Sequence, residues 1–225
     1  MAQFERTKIV MGENLIKIEN ANICLLGVGG VGGYVLEMLY RLGVKHLTIV
    51  DCDNFEETNL NRQLYSTYSS LGRPKVEVAG TRAKEINADC VVIPKKIKIN
   101  ESTLPEILSG QNYDFVIDCI DDVRAKIVTI LYCNEHNINL ICAMGTGNRY
   151  KTPRFEVMDL FKTSYDGLAR KMRNELKKKN FRGKVNVCCT LESTEKTTAL
   201  GSVVYYPLMC AGTLVSFVAN KIMEK

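Results

Sequence analysis

The sequence predicts an α/β fold, a mostly parallel sheet with helices on both faces and a C-terminal α+β elaboration. Three observations predict it. Short apolar runs alternate with segments of helical period, the pattern of β-α-β units. A glycine loop directly follows the first of these runs and opens a helix. An acidic residue closes the second run, where such sheets hold ligands. The 225 residues are 46% hydrophobic and 24% charged, enough for a core and unlike a disordered or collagenous chain.

In chain order, residues 22–26 (N-I-C-L-L) form the first strand. A helix opens at Gly32 or Gly33 and runs to about residue 42, with Leu36, Leu39 and Tyr40 sharing one face. Residues 46–50 give the second strand, ending at Asp51. The polar stretch 51–71 is long for a strand-to-helix connection, and long connections in compact domains are usually functional. Pro74 suits a first helical turn and starts a helix to about residue 86.

Residues 91–99 are a broken apolar run with at least one strand. Residues 115–119 form another, followed by a helix over 123–136. The next strand spans 138–142 and leads to Gly145 and Gly147. Beyond that the rhythm changes. Residues 154–160 alternate like a strand and 168–179 read as a basic amphipathic helix. Short strands follow at 185–189 and 203–206, and 208–219 is an apolar helix too short to span a bilayer.

Lys and Arg total 30 against 25 Asp and Glu, a net charge of +5 that permits a polyanionic partner without requiring one. Nine cysteines are scattered with no C-x-x-C spacing, which argues against a zinc ribbon and for a reduced compartment. The first ten residues lack the apolar core of a signal peptide. A cytoplasmic chain without membrane contact is expected.

Gly27, Gly29 and Gly32 match G-x-G-x-x-G between a strand and a helix, so the backbone can approach a phosphate at a helix N-terminus. Asp51 lies 19 residues past Gly32, where a carboxylate accepts ribose hydroxyls. This much is a Rossmann-like nucleotide signature, shared with dinucleotide enzymes. Asp53, Asn59, Arg62, Gln63 and Lys75 go further. Fixed cations and amide donors there suit a triphosphate and charge developing on its α-phosphate. Their structural alternatives are an Asp53–Arg62 salt bridge and a solvated Lys75.

In V-I-D-C-I-D-D, the carboxylates Asp118, Asp121 and Asp122 close a strand on the ligand-binding edge. One or two carboxylates with phosphates and water are the ligands Mg²⁺ prefers. One acid can instead cap the following helix. Asp118 or Asp122 is assigned to that role and Asp121 to the metal.

Taken together, G-V-G-G-V-G (27–32), V-D-C-D (50–53), T-N-L-N-R-Q (58–63), G-R-P-K (72–75) and D-C-I-D-D (118–122) resemble the E1-like, ubiquitin-activating adenylyltransferase superfamily. The resemblance implies ATP and Mg²⁺ as ligands. Gly30, with Gly27 and Gly29, would approach the phosphates, and Asp51 would hold the ribose. Asn59 and Arg62 would contact the triphosphate beside Asp53 and Gln63, and Lys75 the α-phosphate. Asp121 would bind the metal, flanked by Asp122. Arg6, in F-E-R-T-K, is similar to an arginine that crosses a homodimer interface in this family and acts in trans. The implied catalytic set is Arg6, Arg62, Lys75 and Asp121.

The second half is similar to the tRNA threonylcarbamoyladenosine dehydratase branch. It shares I-D-C-I-D-D-V-R-A-K (117–126), M-G-T-G-N (144–148), F-E-V-M-D-L-F-K-T (155–163), L-A-R-K-M-R-N-E-L-K-K (168–178) and G-S-V-V-Y-Y-P (201–207). It departs where that branch has Asp-Pro-Thr, reading Lys151-Thr152-Pro153, and in a short link over 187–201. The resemblance implies a tRNA substrate, with sulfur-relay proteins as further partners. We expect one domain over 1–225, with a nucleotide-binding core in 1–150 and a substrate and dimer elaboration in 151–225.

Arg170, Lys171, Arg173, Lys177 and Lys178, continued by Lys179, Arg182 and Lys184, suit a phosphate backbone or the solvated face of a helix. Tyr165 and Phe181 suit base stacking or core packing. Cys188 and Cys189 suit strand packing better than a reactive thiol. Two rival functions remain. One is adenylation of the C-terminus of a ubiquitin-like or sulfur-carrier protein; the other is a non-catalytic ATP-binding scaffold.

Overall fold

The computed structural model describes residues 2–225. Two short helices, α1 (Glu5–Met11) and α2 (Asn14–Glu19), precede β1 (Asn22–Leu26), α3 (Gly30–Leu42) and β2 (His46–Val50). Then come α4 (Lys75–Ile86), β3 (Val91–Lys95), α5 (Thr103–Leu108), β4 (Phe115–Asp118), α6 (Val123–Glu135) and β5 (Leu140–Ala143). The C-terminal part adds β6 (Phe155–Asp159), α7 (Gly167–Lys178), β7 (Asn186–Thr190) and α8 (Tyr205–Met223).

The described strands form one seven-stranded sheet in the order β3-β2-β1-β4-β5-β7-β6. Every pairing is parallel except β6 with β7. From β1 the chain winds outward to β2 and β3, then returns to β4 on the other side. The gap between the ends of β1 and β4 is therefore the switch point at which such sheets bind ligands.

Side-chain alternation explains the layers. Ile23, Leu25, Ile49 and Ile117 face one side and pack with α3, α4 and α8. Cys24, Leu26, Val50 and Val116 face the other, against α5 and α6. Cys142, Val187 and Cys189 meet Ile127, Ile130, Met172 and Leu176 of α6 and α7. Strands covered on both faces become continuous apolar runs, as parallel strands do. On α8, Cys210, Leu214, Val218 and Ile222 recur every four residues and form a stripe in the core shared with α3.

Two expectations need correction, and three short helices go beyond them. No strand forms over 203–206: Val203 and Val204 precede α8, which starts at Tyr205. Pro207 is its third residue, where a missing N–H costs no helical hydrogen bond, so the β-branched pair is overridden by the helix it introduces. Helix α3 begins at Gly30 rather than Gly32 or Gly33, so the glycine loop itself is the first turn. Helices α1, α2 and α5 have only six or seven residues each, too few to show a helical period. Among the described residues no helix is long and apolar enough to cross a membrane.

Candidate active site

Each glycine of the loop has its own reason. Gly27 has φ +90°, and a Cβ there would lie 2.9 Å from the Cys119 carbonyl at the end of β4. A Cβ on Gly32 would lie 1.9 Å from the Gly27 carbonyl oxygen, so only glycine lets α3 close on the loop. Gly29 differs: the nearest atom to an added Cβ is Gln63 Nε2 at 3.9 Å. The open side of Gly29 is the approach a phosphate would use, next to the α3 N-terminus. Gly30 is bounded by Pro207 and by the Arg62 stem.

Asp51 follows β2 and holds the loop in place. Its Oδ2 accepts from the Val28 N–H at 2.7 Å and its Oδ1 from the Asp53 N–H at 2.8 Å. Burial pushes its carboxyl above the usual range, against the Asp53 N–H and the Lys75 charge. Lys75 opens α4 with a 7% exposed side chain, and its Nζ lies 3.1 Å from Asp53 Oδ2, whose side chain is 62% exposed. Burial raises the Asp53 carboxyl, and the Lys75 hydrogen bond and charge more than offset that, leaving it below its ordinary value.

The expected structural alternatives for this loop are thus not what forms. Asp53 pairs with Lys75 rather than Arg62, and Lys75 is buried rather than solvated. Arg62 Nη1 donates to the Thr58 carbonyl at 2.7 Å and to Asn61 Oδ1 at 2.9 Å. Asn59 is buried, and its Oδ1 accepts from the Glu56 N–H, closing a tight turn that steers Arg62 and Gln63 toward the glycine loop. Gln63 is buried and its Oε1 has no hydrogen-bond partner.

The three acids after β4 separate into three roles. Asp122 caps α6, its Oδ1 accepting from the Ala125 N–H at 2.8 Å. Asp118 is fully buried and pairs with fully buried Lys126 at 3.0 Å. Its other oxygen accepts from the Ile120 N–H, which shapes the turn carrying Asp121. Asp121 is exposed and makes no side-chain hydrogen bond among the described residues, so its carboxylate is the one left for a ligand.

The C-terminal part closes around this edge. Asn61 donates to the Ser202 carbonyl, and Pro207 of α8 abuts Gly30. Sequence reasoning missed Arg149, a buried hub. Its guanidinium donates to the carbonyls of Gly145, Tyr165 and Glu192, and Asp166 Oδ2 lies 3.7 Å away. The only sequence signal for it was its place directly after M-G-T-G-N. Cys188 and Cys189 are fully buried on β7, and burial pushes the Cys189 thiol up to about 12, so strand packing is their role.

On α7, Arg170, Lys171, Lys177 and Lys178 are exposed, but Arg173 turns inward to Thr163 and the Leu160 carbonyl. Arg6 lies far from the loop. Phe4, two residues before it, packs on Gly43 at the far end of α3. That helix has 13 residues, a rise of about 20 Å, beyond the reach of an arginine side chain.

A nucleotide fits these residues on two counts, the open side of Gly29 and the uncommitted Gln63 amide. Mg²⁺ fits the free Asp121 carboxylate, since one carboxylate with phosphates and water is its usual donor set. Gly29→Ala is expected to melt close to wild type and to bind ATP about tenfold more weakly or worse. Gly32→Ala is expected to lose the fold. Thermal melts and nucleotide titration check both; wild-type ATP binding by a folded Gly29→Ala would place the phosphates elsewhere.

The sequence profile described as the ThiF family matches residues 3–220. The chain is 36% identical over 192 residues to tRNA threonylcarbamoyladenosine dehydratase of Bacillus subtilis, covering 85% of this chain and 75% of that one. It is 36% identical over 199 residues to the Escherichia coli protein of that name, covering 86% and 74%. Among solved structures, the E. coli enzyme in complex with ATP superposes with a TM-score of 0.94 at 32% identity, covering 99% of this chain and 94% of that one.

Proposed function

The chain belongs to the ThiF family, and on that premise we propose that it is an ATP-dependent tRNA threonylcarbamoyladenosine dehydratase. In this reading the threonyl carboxylate of the modified adenosine attacks the α-phosphorus of ATP. An oxygen–phosphorus bond forms, the bond to the β-phosphate breaks and pyrophosphate leaves. The activated acyl carbon is then captured within the same nucleoside, a ring closes and AMP departs. The net change is loss of one water.

A carboxylate is ionised at neutral pH, so the first step needs no general base, only positioning and charge. Asp51 holds the ribose from the loop it already organises. Gly27, Gly29 and Gly30 admit the phosphates, with Gln63 and Asn59 framing them. Lys75, oriented by Asp53, faces the α-phosphate and Arg62 the outer phosphates. Mg²⁺ would neutralise the leaving pyrophosphate. Asp121 would hold it, from a turn fixed by Asp118, Lys126 and the Asp122 cap.

Arg6 acts from a second copy of the chain. Its separation from its own glycine loop supports this, as do Ile9, Val10 and Ile16 beside it, 83%, 85% and 60% exposed on α1 and α2. The exposed cations of α7 contact the tRNA backbone, and the protein works in the cytoplasm, where its thiols stay reduced. The observation that carries the reading is the TM-score of 0.94 at 32% identity with the E. coli dehydratase over 99% of this chain, since E. coli MccB covers the same share of the chain with a TM-score of only 0.70 at 19% identity.

Asp121→Ala is expected to abolish metal-dependent AMP formation on tRNA bearing the modification while melting as wild type. Mixed with Arg6→Ala chains, it should recover about a quarter of wild-type activity, because half of randomly paired dimers are mixed and each holds one intact site. No recovery in verified mixed dimers would reject action in trans. Pyrophosphate exchange that requires a small carrier protein and ignores tRNA would favour the carrier-activating alternative.

A further inference from the structure

Among the described residues, four that are not glycine have a left-handed backbone: Asn137, Asn148, Tyr165 and Asn180. Asparagine tolerates that region because its short amide bonds locally, but a bulky tyrosine does not. Tyr165 has φ 57° and is 67% exposed. The fold therefore holds an aromatic side chain in a strained conformation without burying it.

The surroundings show that the strain is imposed. The Tyr165 carbonyl accepts from Arg149 Nη2 at 3.1 Å, and the same guanidinium donates to the Gly145 carbonyl at 2.9 Å. The next residue, Asp166, accepts from the Gly145 N–H at 3.0 Å and caps α7 through the Ala169 N–H at 2.7 Å. Tyr165 is thus fastened to the turn that leaves β5, two strands from β1 on the sheet edge that carries Asp51 and Asp121. The other aromatics here behave differently: Phe161 and Phe181 stack on each other, centroids 6.4 Å apart, and belong to the core.

Charge identifies the occupant. After Tyr165, α7 exposes Arg170, Lys171, Lys177 and Lys178; Arg170 and Lys177, like Lys171 and Lys178, are seven residues apart, about two helical turns, so the four fall within about a third of the helix circumference. Glu175, the one acid of α7, pairs with Lys178 at 2.7 Å, which leaves Arg170, Lys171 and Lys177 without an ion pair among the described residues. An exposed ring at the head of an otherwise cationic stripe matches a single-stranded nucleic acid, whose bases stack while its phosphates pair.

We infer that Tyr165 is a stacking platform for an unpaired base of the substrate RNA, next to the phosphate-binding stripe of α7. The inference rests on the dehydratase reading above and adds the residue that grips the loop around the modified nucleotide. Tyr165 is a positioning residue: it orients the RNA and leaves the chemistry to the nucleotide site.

Tyr165→Asn removes the ring and keeps a residue suited to the left-handed backbone. Steady-state kinetics on tRNA bearing the modification should show its tRNA KM raised about 5- to 150-fold, the range of a lost base–aromatic stack. The ATP KM should match wild type, the melting temperature should equal or exceed it because asparagine relieves the backbone strain, and Tyr165→Phe should keep the tRNA KM within about threefold. An unchanged tRNA KM in Tyr165→Asn overturns the platform. So does a fall in melting temperature with both KM values raised alike, which marks a structural residue. If wild type itself forms no AMP on this tRNA, the dehydratase reading falls and the platform with it; if wild type turns over, only the platform is at stake.

Discussion

Lys126→Met is expected to destabilise the protein by about 3–5 kcal/mol, the usual consequence of leaving a buried charge unpaired. Lys126 and Asp118 are both fully buried at 3.0 Å, so water cannot replace the lost ammonium. Against a total stability of about 5–15 kcal/mol, that loss brings the protein near unfolding at body temperature. Asp118→Asn combined with Lys126→Met should recover most of it. The amide oxygen can still accept from the Ile120 N–H, and no charge is stranded. Urea titrations of the two variants check this, and a Lys126→Met protein as stable as wild type would contradict the burial of the pair.

The pair also contributes to the pH dependence. Burial disfavours the charged Lys126, but Asp118 outweighs it and holds the ammonium above its ordinary value of 10.5. A base whose pKa rises on folding contributes stability that is complete below the unfolded value and lost as pH climbs through the folded one. Wild type should weaken in alkali from about pH 9, where burial keeps thiols such as Cys24, Cys133 and Cys189 protonated while the unfolded chain ionises. The pair adds a further loss above about pH 10.5 that the double variant should lack.

Lys75→Met is expected to give the opposite phenotype, a folded protein with AMP formation reduced about 10²- to 10³-fold. Lys75 is as buried as a working lysine can be, but its partner Asp53 has a 62% exposed carboxylate that water can solvate alone. Methionine also fills the space of the buried stem. The loss then falls on transition-state charge at the α-phosphate and appears in kcat, with little change in ATP KM. Lys75→Arg should rescue poorly, because a planar fork does not replace a compact ammonium. Wild-type turnover in Lys75→Met would remove this residue from the reaction, and a collapse in stability would recast it as structural.

The contrast between the two lysines shows what the sequence could carry. Lys75 was legible, since a lysine at a helix start, after a long polar loop that follows a nucleotide signature, stands where a phosphate arrives. Lys126 was not: it sits in the first turn of α6, where a lysine is usually solvated, and only folding reveals that its ammonium ends beneath Asp118. The same limit applied to D-C-I-D-D. Spacing placed all three acids on the ligand edge, and backbone geometry then sorted them into an ion pair, a free carboxylate and a cap.

Local rules read β1 and β2 correctly and put the glycine loop between strand and helix, but they started α3 two or three residues late because glycines carry no helical period. They failed at Val203 and Val204, where the strand propensity of two residues lost to a helix of nineteen. Arg149 was invisible for a related reason. Its partners lie 4, 16 and 43 residues away, and no periodicity records contacts of that range. Tyr165 stood open between stacking and core, and its exposure and backbone strain decide for the surface.

The most direct measurement is mass spectrometry of nucleosides from tRNA bearing threonylcarbamoyladenosine, digested after incubation with the protein, ATP and Mg²⁺. The account predicts conversion to a product lighter by one water, with one AMP formed per nucleoside converted and no conversion when ATP is omitted. Unaltered nucleoside beside active pyrophosphate exchange on another acyl substrate would contradict it.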